Sequence, residues 1–265
     1  STITQASGSD SLDPTAMMQT SFQQGYITDL VCPPPPPGKT ASDVLQTGLA
    51  LALDMVQSAK IMCTLNPFVQ DVTSMPADHP KLVDVQALAA TFGVQDYAAT
   101  NTTNNATSAG TGAGAGWAQY EITDKLPVFA GYSTTLVYHT ALRQTRDGLE
   151  SLTNPGNGVT IHGRWVIKVA DDRRGDDETR ESTEQEKERN KAAPPEESED
   201  GKFSLGNASG VINLLETQRT RCNVVLSWYI KQSFDKSHRT THRRFKELWR
   251  ERMKMVLYPA NANAG

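Results

Sequence analysis

The sequence contains little cysteine, few aromatic residues and no surplus of apolar residues. Only 3 of its 265 residues are cysteine, 7% are aromatic and 37% are hydrophobic. The cysteines, Cys32, Cys63 and Cys222, are widely spaced and form no C-x-x-C pair, which argues against a zinc site or a disulfide framework. Because unpaired thiols are typical of a reducing compartment, we expect a cytoplasmic protein.

Long apolar stretches, strong net charge and a secretion signal are also missing. The longest apolar stretch, at 49–56, contains Asp54 and is too short to cross a membrane. Residues 1–20 lack the basic and apolar regions of a signal peptide. The net charge of −4 is too close to neutral for a typical nucleic-acid-binding protein. We therefore expect neither an integral membrane contact nor a nucleic-acid partner.

The secondary-structure pattern predicts one α+β domain. Its elements, in order, are a strand at 17–31, a helix with Ser42 as its N-cap, a short helix at 62–65, strands at 68–75, 117–128, 132–142, 148–153, 159–169 and 211–217 or a little beyond, and a long helix at 223–255. Short turns between the later strands predict antiparallel pairing. We predict a curved antiparallel sheet of about six to seven strands around the C-terminal helix, with an apolar cavity between them.

Two segments interrupt this pattern. Residues 76–115 contain a short helical pattern at 82–92 and then a tract of Asn, Thr, Ala and Gly, and residues 171–202 are mostly charged. The glycine-rich run at 110–116 precedes a strand rather than a helix, so it predicts no nucleotide site. We predict a single domain with flexible insertions and disordered tails: domain 17–256, insertions 76–115 and 171–202, tails 1–16 and 257–265.

Short sequence words recur in order along this pattern: VLQ at 44–46, LNP at 65–67, YEITD at 120–124, GRW at 163–165 and RCN at 221–223, before the basic final helix. Together they resemble a fungal START-like family of the helix-grip superfamily, which contains START lipid-transfer domains, plant allergen-type ligand binders and polyketide cyclases. The resemblance covers residues 17–250, apart from the two insertions. It implies a START-like helix-grip fold with a central ligand cavity.

The final helix carries two histidines four residues apart, the spacing at which two imidazoles can hold one metal ion. His238 and His242 are separated by Arg239, Thr240 and Thr241, without the glutamate that hydrolytic zinc sites place between such a pair. We therefore predict no metal and interpret both histidines as solvent-facing or capping residues.

Polar residues on the strands are better candidates for chemistry. A Tyr or Arg can stabilise charge that develops on an oxygen, and a His or Glu can move a proton. The candidate catalytic residues are Glu121, Tyr138, His139, His162 and Arg164. The candidate ligand-binding residues are Tyr120, Leu136, Trp165, Ile230 and Phe234. Alternation does not say which face of a strand lines the cavity, so ordinary sheet packing for the aromatic residues and solvent exposure for the charged ones remain open.

Two functions follow from the resemblance and the candidates. One is a cofactor-independent cyclase or isomerase of fungal secondary metabolism, such as a pericyclase of the Diels–Alder type, acting on an apolar polyketide- or terpenoid-derived intermediate. For a dehydration, His139 or His162 with Glu121 would be the acid–base pair. The alternative is a non-catalytic carrier of a lipid or sterol, with an entirely apolar cavity. The partner in both cases is an apolar small molecule, and an exposed sheet edge would also allow a homodimer.

Overall fold

The computed structural model describes residues 18–94, 116–129, 132–170 and 210–259. This part of the chain contains four helices and seven strands in the predicted order. They are β1 (Gln19–Val31), α1 (Ala41–Gln57), α2 (Ala59–Leu65), β2 (Val69–Ser74), α3 (Val85–Phe92), β3 (Ala118–Phe129), β4 (Tyr132–Thr145), β5 (Gly148–Gly156), β6 (Val159–Val169), β7 (Val211–Asn223) and α4 (Val224–Leu257).

The seven strands form one open antiparallel sheet. Their order is β1-β7-β6-β5-β4-β3-β2, so every consecutive pair from β2 to β7 is adjacent and β1 lies beside β7. The 34-residue helix α4 follows β7 directly and packs on the sheet. This arrangement confirms the predicted α+β fold class, with a sheet around a long C-terminal helix, and it is consistent with a helix-grip fold.

Helix α4 divides the inner face of the sheet into two parts. Its C-terminal half packs on α1, where Phe245 and Trp249 are fully buried. The Trp249 indole Nε1 donates a hydrogen bond to the carbonyl oxygen of Gly48 over 3.0 Å. A Cβ on Gly48 would lie 3.1 Å from the Trp249 ring, so glycine lets the two helices approach closely. The N-terminal half of α4 does not have this partner.

The start of α1 differs from the prediction. We predicted Ser42 as the N-cap residue, but the cap is Thr40. The Thr40 hydroxyl accepts a hydrogen bond from the Asp43 backbone N–H, and the Asp43 carboxylate accepts one from the Thr40 backbone N–H. This reciprocal capping box satisfies two donors that a cap at Ser42 would leave free.

The outer face of the sheet is also covered in part. Helix α3, with its buried Leu88, Ala89 and Phe92, packs on Ala141 and Leu152. Residues 76–94 of the predicted first insertion therefore include an ordered helix. Residues 95–115, the whole second insertion and the predicted N-terminal tail lie outside the described residues, as do residues 260–265 of the predicted C-terminal tail.

In the described part of the chain, no single helix is long and apolar enough to cross a membrane. Helices α1 and α2 reach the required length and composition only as a pair, which bends by 82°.

Gly148 gives a direct test of the register between β5 and β6. A Cβ at this position would lie 1.9 Å from the carbonyl oxygen of Trp165, a backbone atom that cannot move without breaking the ladder. We expect Gly148→Ala to lower the free energy of unfolding by about 2–4 kcal/mol, measured by urea titration. The control is Gly116→Ala, since nothing lies within 4 Å of its Cβ. Equal stability of the two variants would contradict this register.

Candidate functional site

A cavity of about 400 Å³ lies between the inner face of the sheet and the N-terminal half of α4. This volume is in the range of sites that hold small organic ligands. Most of its wall is apolar, with contributions from α2, strands β2 to β7 and α4. Among the apolar lining residues are Met62, Phe68, Ile122, Leu126, Leu142, Leu149, Val159, Ile161, Leu226 and Tyr229.

Five predicted site residues line this cavity. They are Leu136 and Tyr138 on β4, Trp165 on β6, and Ile230 and Phe234 on α4. A sixth, Tyr120 on β3, is half-buried and packs against the hydrophobic core beside α1 and α2. Tyr120 therefore lies near the cavity but does not line it.

The other four predicted residues lie on the opposite face of the sheet. His139 Nε2 lies 3.2 Å from a carboxylate oxygen of Glu121, so these two residues do pair, but outside the cavity. His162 contacts Glu150 over 2.8 Å, and Arg164 is exposed beside Asp147. These side chains cannot contact a ligand in the cavity.

Strand alternation explains this division. On β6, Ile161, Gly163 and Trp165 line the cavity, so His162 and Arg164 must face the other way. On β4, Tyr138 faces the cavity and His139, its neighbour, faces outward. Alternation in the sequence assigns the residues of each strand to two opposite faces of the sheet, but it does not say which face lines the cavity.

The outward-facing His162 belongs to a buried ionic network under α3. Glu150 contacts both Arg143 and His162, and Arg219 donates a hydrogen bond to Nδ1 of His162. Burial opposes ionisation of Glu150, but its hydrogen bonds to His162 and Arg143 hold its pKa below the usual value. Phe92 covers the His162 ring, with 5.7 Å between ring centroids. The network joins α3 to the sheet, which is a structural role.

Within the cavity, the first polar pair is Asp124 and Tyr138. Burial raises the pKa of the Asp124 carboxyl to about 6, although a hydrogen bond with the Tyr138 hydroxyl favours the ionised form. Burial and the nearby Asp124 raise the pKa of Tyr138 well above its usual value. At neutral pH the pair is therefore a carboxylate beside a protonated phenol, and it can accept or donate a proton near pH 6.

Cys63 lies in the same wall but is a poor nucleophile. Burial, and next the charge of Asp124, raise the pKa of its thiol to about 12. Because the thiolate is the reactive form, covalent catalysis at Cys63 is disfavoured.

The second polar group joins β7 to α4. Glu216 is 3% exposed, and its carboxylate lies within hydrogen-bonding distance of both histidines of α4. One carboxylate oxygen lies 2.7 Å from Nδ1 of His238, and the other lies 3.1 Å from Nε2 of His242. Burial opposes ionisation of Glu216, but the two imidazoles hold its pKa below the usual value. Glu216 and His238 line the cavity. His242 is 4% exposed and His238 is partly buried, so the two histidines, which we predicted to be solvent-facing or capping residues, are in fact partners of a buried carboxylate.

Aromatic rings hold these histidines in place. Tyr26 on β1 stacks on His238 with 5.3 Å between ring centroids, and Trp165 stacks on His242 at 5.1 Å. The rings fix both imidazoles against α4, and an orientation fixed by packing suits a group that must present one nitrogen to a ligand.

Two buried oxygen atoms in the cavity wall lack hydrogen-bond partners among the described residues. They are Oδ1 of Asp124 and Oε1 of Gln218. A buried acceptor without a partner costs free energy. The hydroxyls of Thr140 and Thr153, by contrast, satisfy each other at 2.7 Å. The cavity wall is therefore largely apolar but contains a small number of polar groups.

Across the described residues, no group of three or more His, Cys, Asp or Glu side chains is arranged to hold a metal ion. The contacts of Glu216 with its two histidines are hydrogen bonds that join the carboxylate directly to the imidazoles. The side chains of this site can themselves transfer protons and form hydrogen bonds.

Asp124, Glu216 and His238 were not among the sequence candidates. Asp124 lies two residues after Ile122 and four after Tyr120, so strand alternation places all three on one face of β3. The sequence does not indicate that this face lines the cavity. For His238, the three-residue step to Thr241 and the seven-residue step to Phe245 placed it on the apolar stripe of α4. That stripe was the available signal that His238 faces the sheet rather than solvent.

No curated protein matches this sequence. A family model does match: residues 46–251 fit the Domain of unknown function (DUF7053). The matched segment runs from α1 into the last third of α4 and includes the sheet from β2 to β7, so it contains most of the cavity wall. On this match, the chain belongs to the DUF7053 family.

Proposed function

We propose that this domain binds an apolar, oxygen-bearing small molecule in its cavity and catalyses its isomerisation or cyclisation without a cofactor. The observation that carries this proposal is that two acid–base groups, Asp124 with Tyr138 and Glu216 with His238, lie in the wall of one largely apolar cavity. A carrier needs only apolar walls, whereas a cyclase needs groups that move protons and stabilise charge.

Each group has a chemical role in this proposal. The Asp124 carboxylate removes a proton from a carbon or hydroxyl group of the substrate, because its pKa of about 6 suits a base that works near neutral pH. Once Asp124 has taken the proton, the Tyr138 hydroxyl no longer donates to a carboxylate and can stabilise the developing oxyanion by donating a hydrogen bond to it. His238 returns the proton on the other side, so the atoms of substrate and product are the same.

The resemblance to START-like cyclases supports the same class, and an apolar polyketide- or terpenoid-derived intermediate is the substrate that we propose. The three free thiols fit a cytosolic setting for this chemistry. The apolar walls hold the substrate in one folded conformer, which lowers the entropic part of the barrier to ring closure.

A lipid carrier is the second candidate, and one observation favours it. The first turns of α4 expose Val225 (71%) and Trp228 (67%) beside the cavity-lining Leu226 and Tyr229. Exposed Trp and aliphatic residues next to a ligand cavity are suited to contact with a membrane surface. A carrier, however, gives no role to the acid–base groups in the wall.

Native mass spectrometry of the purified protein, followed by organic extraction, separates the two candidates. The catalyst is expected to be empty or to retain a cyclised, oxygen-bearing product. A stoichiometric saturated lipid or sterol, released unchanged, would support the carrier and contradict the catalyst.

A cavity-filling substitution tests the location of the ligand. Ser233 on α4 lines the cavity, whereas its neighbour Gln232 is exposed and does not. We expect Ser233→Trp to reduce binding of 8-anilinonaphthalene-1-sulfonate at least tenfold, because the indole occupies the cavity, while Gln232→Trp binds this probe as the wild type does. The measurement is a fluorescence titration. An equal effect of both substitutions would contradict the cavity as the binding site.

A further inference from the structure

Behind the cavity lies a second depression, which we call the α4 groove. It is formed by residues 24–29 of β1 and the α4 residues Asp235, Arg239, His242, Arg243, Lys246, Glu247 and Arg250, and its volume is about 970 Å³. Its walls are mostly polar and charged, in contrast to the cavity. Only the side chains between α4 and strands β1 and β7 separate the groove from the cavity.

One continuous chain of hydrogen bonds crosses this wall. Thr28 Oγ1, which lines the groove, lies 2.8 Å from Nδ1 of His242. His242 Nε2 lies 3.1 Å from Oε2 of Glu216, and Oε1 of Glu216 lies 2.7 Å from Nδ1 of His238. His238 lines the cavity. All three distances are short enough for proton transfer.

The last atom of this chain of hydrogen bonds, Nε2 of His238, is available to a ligand. Nε2 of His238 forms no hydrogen bond with any residue that the structure describes, whereas Nδ1 is held by Glu216. Aromatic rings surround the two histidines: Trp165 stacks on both, and Phe234 meets the His238 ring edge-on. The hydrogen bonds therefore give protons a continuous polar path between these rings.

We propose that Thr28, His242, Glu216 and His238 form a proton relay between the α4 groove and the cavity. The relay deepens the proposed function and rests on it, because it would reset the acid–base groups of the cavity while a ligand excludes water. A static network that only ties α4 to β7 would need neither the connection to Thr28 nor a free Nε2 on His238.

The transfer is balanced at every step. The Thr28 hydroxyl gives its proton to Nδ1 of His242 and takes one from water in the groove. His242 Nε2–H gives its proton to Oε2 of Glu216, and this oxygen, which also lies 2.8 Å from Nδ1 of His238, passes the proton to that nitrogen. His238 Nε2–H then gives its proton to the molecule in the cavity. One proton enters at the groove and one leaves in the cavity.

Titratable side chains around the relay include Tyr26 and the charged residues that line the α4 groove. Tyr26 of β1 stacks on His238, and its hydroxyl donates a hydrogen bond to Asp235. Asp235 in turn pairs with Arg239. Burial, and next the charge of Asp235, raise the pKa of Tyr26, so it stays protonated at neutral pH. Tyr26 therefore does not act as a proton carrier of the relay at neutral pH.

The test measures exchange of the His238 ring N–H with solvent by NMR of protein labelled with ¹⁵N-histidine. Ser233→Trp, which fills the cavity, serves as the background so that water cannot reach His238 directly. The relay variant adds Thr28→Val, which keeps the shape but removes the hydroxyl. The control adds Thr217→Val instead: Thr217 neighbours Glu216 in sequence, but it is exposed on the other face of the sheet.

The relay predicts that Ser233→Trp and its Thr217→Val derivative exchange at equal rates, whereas the Thr28→Val derivative exchanges at least tenfold more slowly. Equal exchange in all three proteins would overturn the relay. The ring signals of His79, His139 and His162, which lie outside the relay, report whether each variant is folded. The experiment uses no substrate, so its failure would leave the binding and conversion tests of the proposed function untouched.

Discussion

Asp124→Asn is expected to make the protein more stable at neutral pH while abolishing conversion of the substrate. Burial raises the pKa of Asp124 to about 6 from its usual 3.8. A carboxyl with a raised pKa in the folded state favours folding below its usual pKa and loses that advantage as the pH rises through about 6. Asparagine never ionises, so it removes the cost of burying the charge. We expect a gain on the order of 2 kcal/mol at pH 7.5 and almost none at pH 3.5.

Urea unfolding at both pH values measures this effect, and Asp78→Asn is the control because Asp78 is exposed. The control should change stability by less than about 0.5 kcal/mol at either pH. If Asp124→Asn were less stable than the wild type at pH 7.5, the carboxylate would be a stabilising structural group, and its assignment as the base would lose its support. A residue that weakens the fold but supplies a base is typical of active sites.

Glu216→Ala is expected to have the opposite effect on stability. The buried carboxylate lies between the buried imidazole of His242 and the partly buried imidazole of His238, and its removal leaves both without their carboxylate partner. Breaking a buried ionic group in this way costs about 3–5 kcal/mol. The pKa of Glu216 is lowered in the folded state, so its contribution is present above the usual 4.5 and is lost as the pH falls through the folded value.

The unfolding free energies of wild type and Glu216→Ala are therefore expected to differ most at neutral pH and to converge in acid. Glu247→Ala is the matched control, because Glu247 is an exposed glutamate of the same helix α4, 4.0 Å from Arg243. It should cost less than about 1 kcal/mol. A cost below 1 kcal/mol for Glu216→Ala as well would show that the histidines do not depend on this carboxylate.

The fold was largely predictable from the sequence, because its elements depend on local patterns. Alternation and turn residues placed the strands, and the pattern at 223–255 predicted nearly all of α4. The differences concern the ends of elements: the predicted last strand ends at 217 or a little beyond, whereas β7 extends to Asn223. Its pairing with β1 continues to Gln19, and β1 is remote in sequence. Strand pairing over nearly two hundred residues leaves no signal in a short window.

The site was predictable only in part, for a related reason. A strand presents two faces, and both faces of this sheet are partly buried, the outer one by α3. His162 and Tyr138 therefore look alike in sequence, although only Tyr138 meets the cavity. His238 and His242 looked like a metal pair or surface residues because their partner Glu216 lies on another element. Long-range contacts decide which polar residues converge.

Conversion of a small molecule tests the central claim most directly. An organic extract is incubated with the wild type and with Asp124→Asn, and untargeted liquid chromatography–mass spectrometry follows every compound. Cyclisation and isomerisation leave the mass unchanged, so the account predicts that one compound falls and another of identical mass rises with wild type alone. If neither protein changes any compound, and both retain the same lipid at one molecule per chain, the cavity is a carrier site and the proposed catalysis is contradicted.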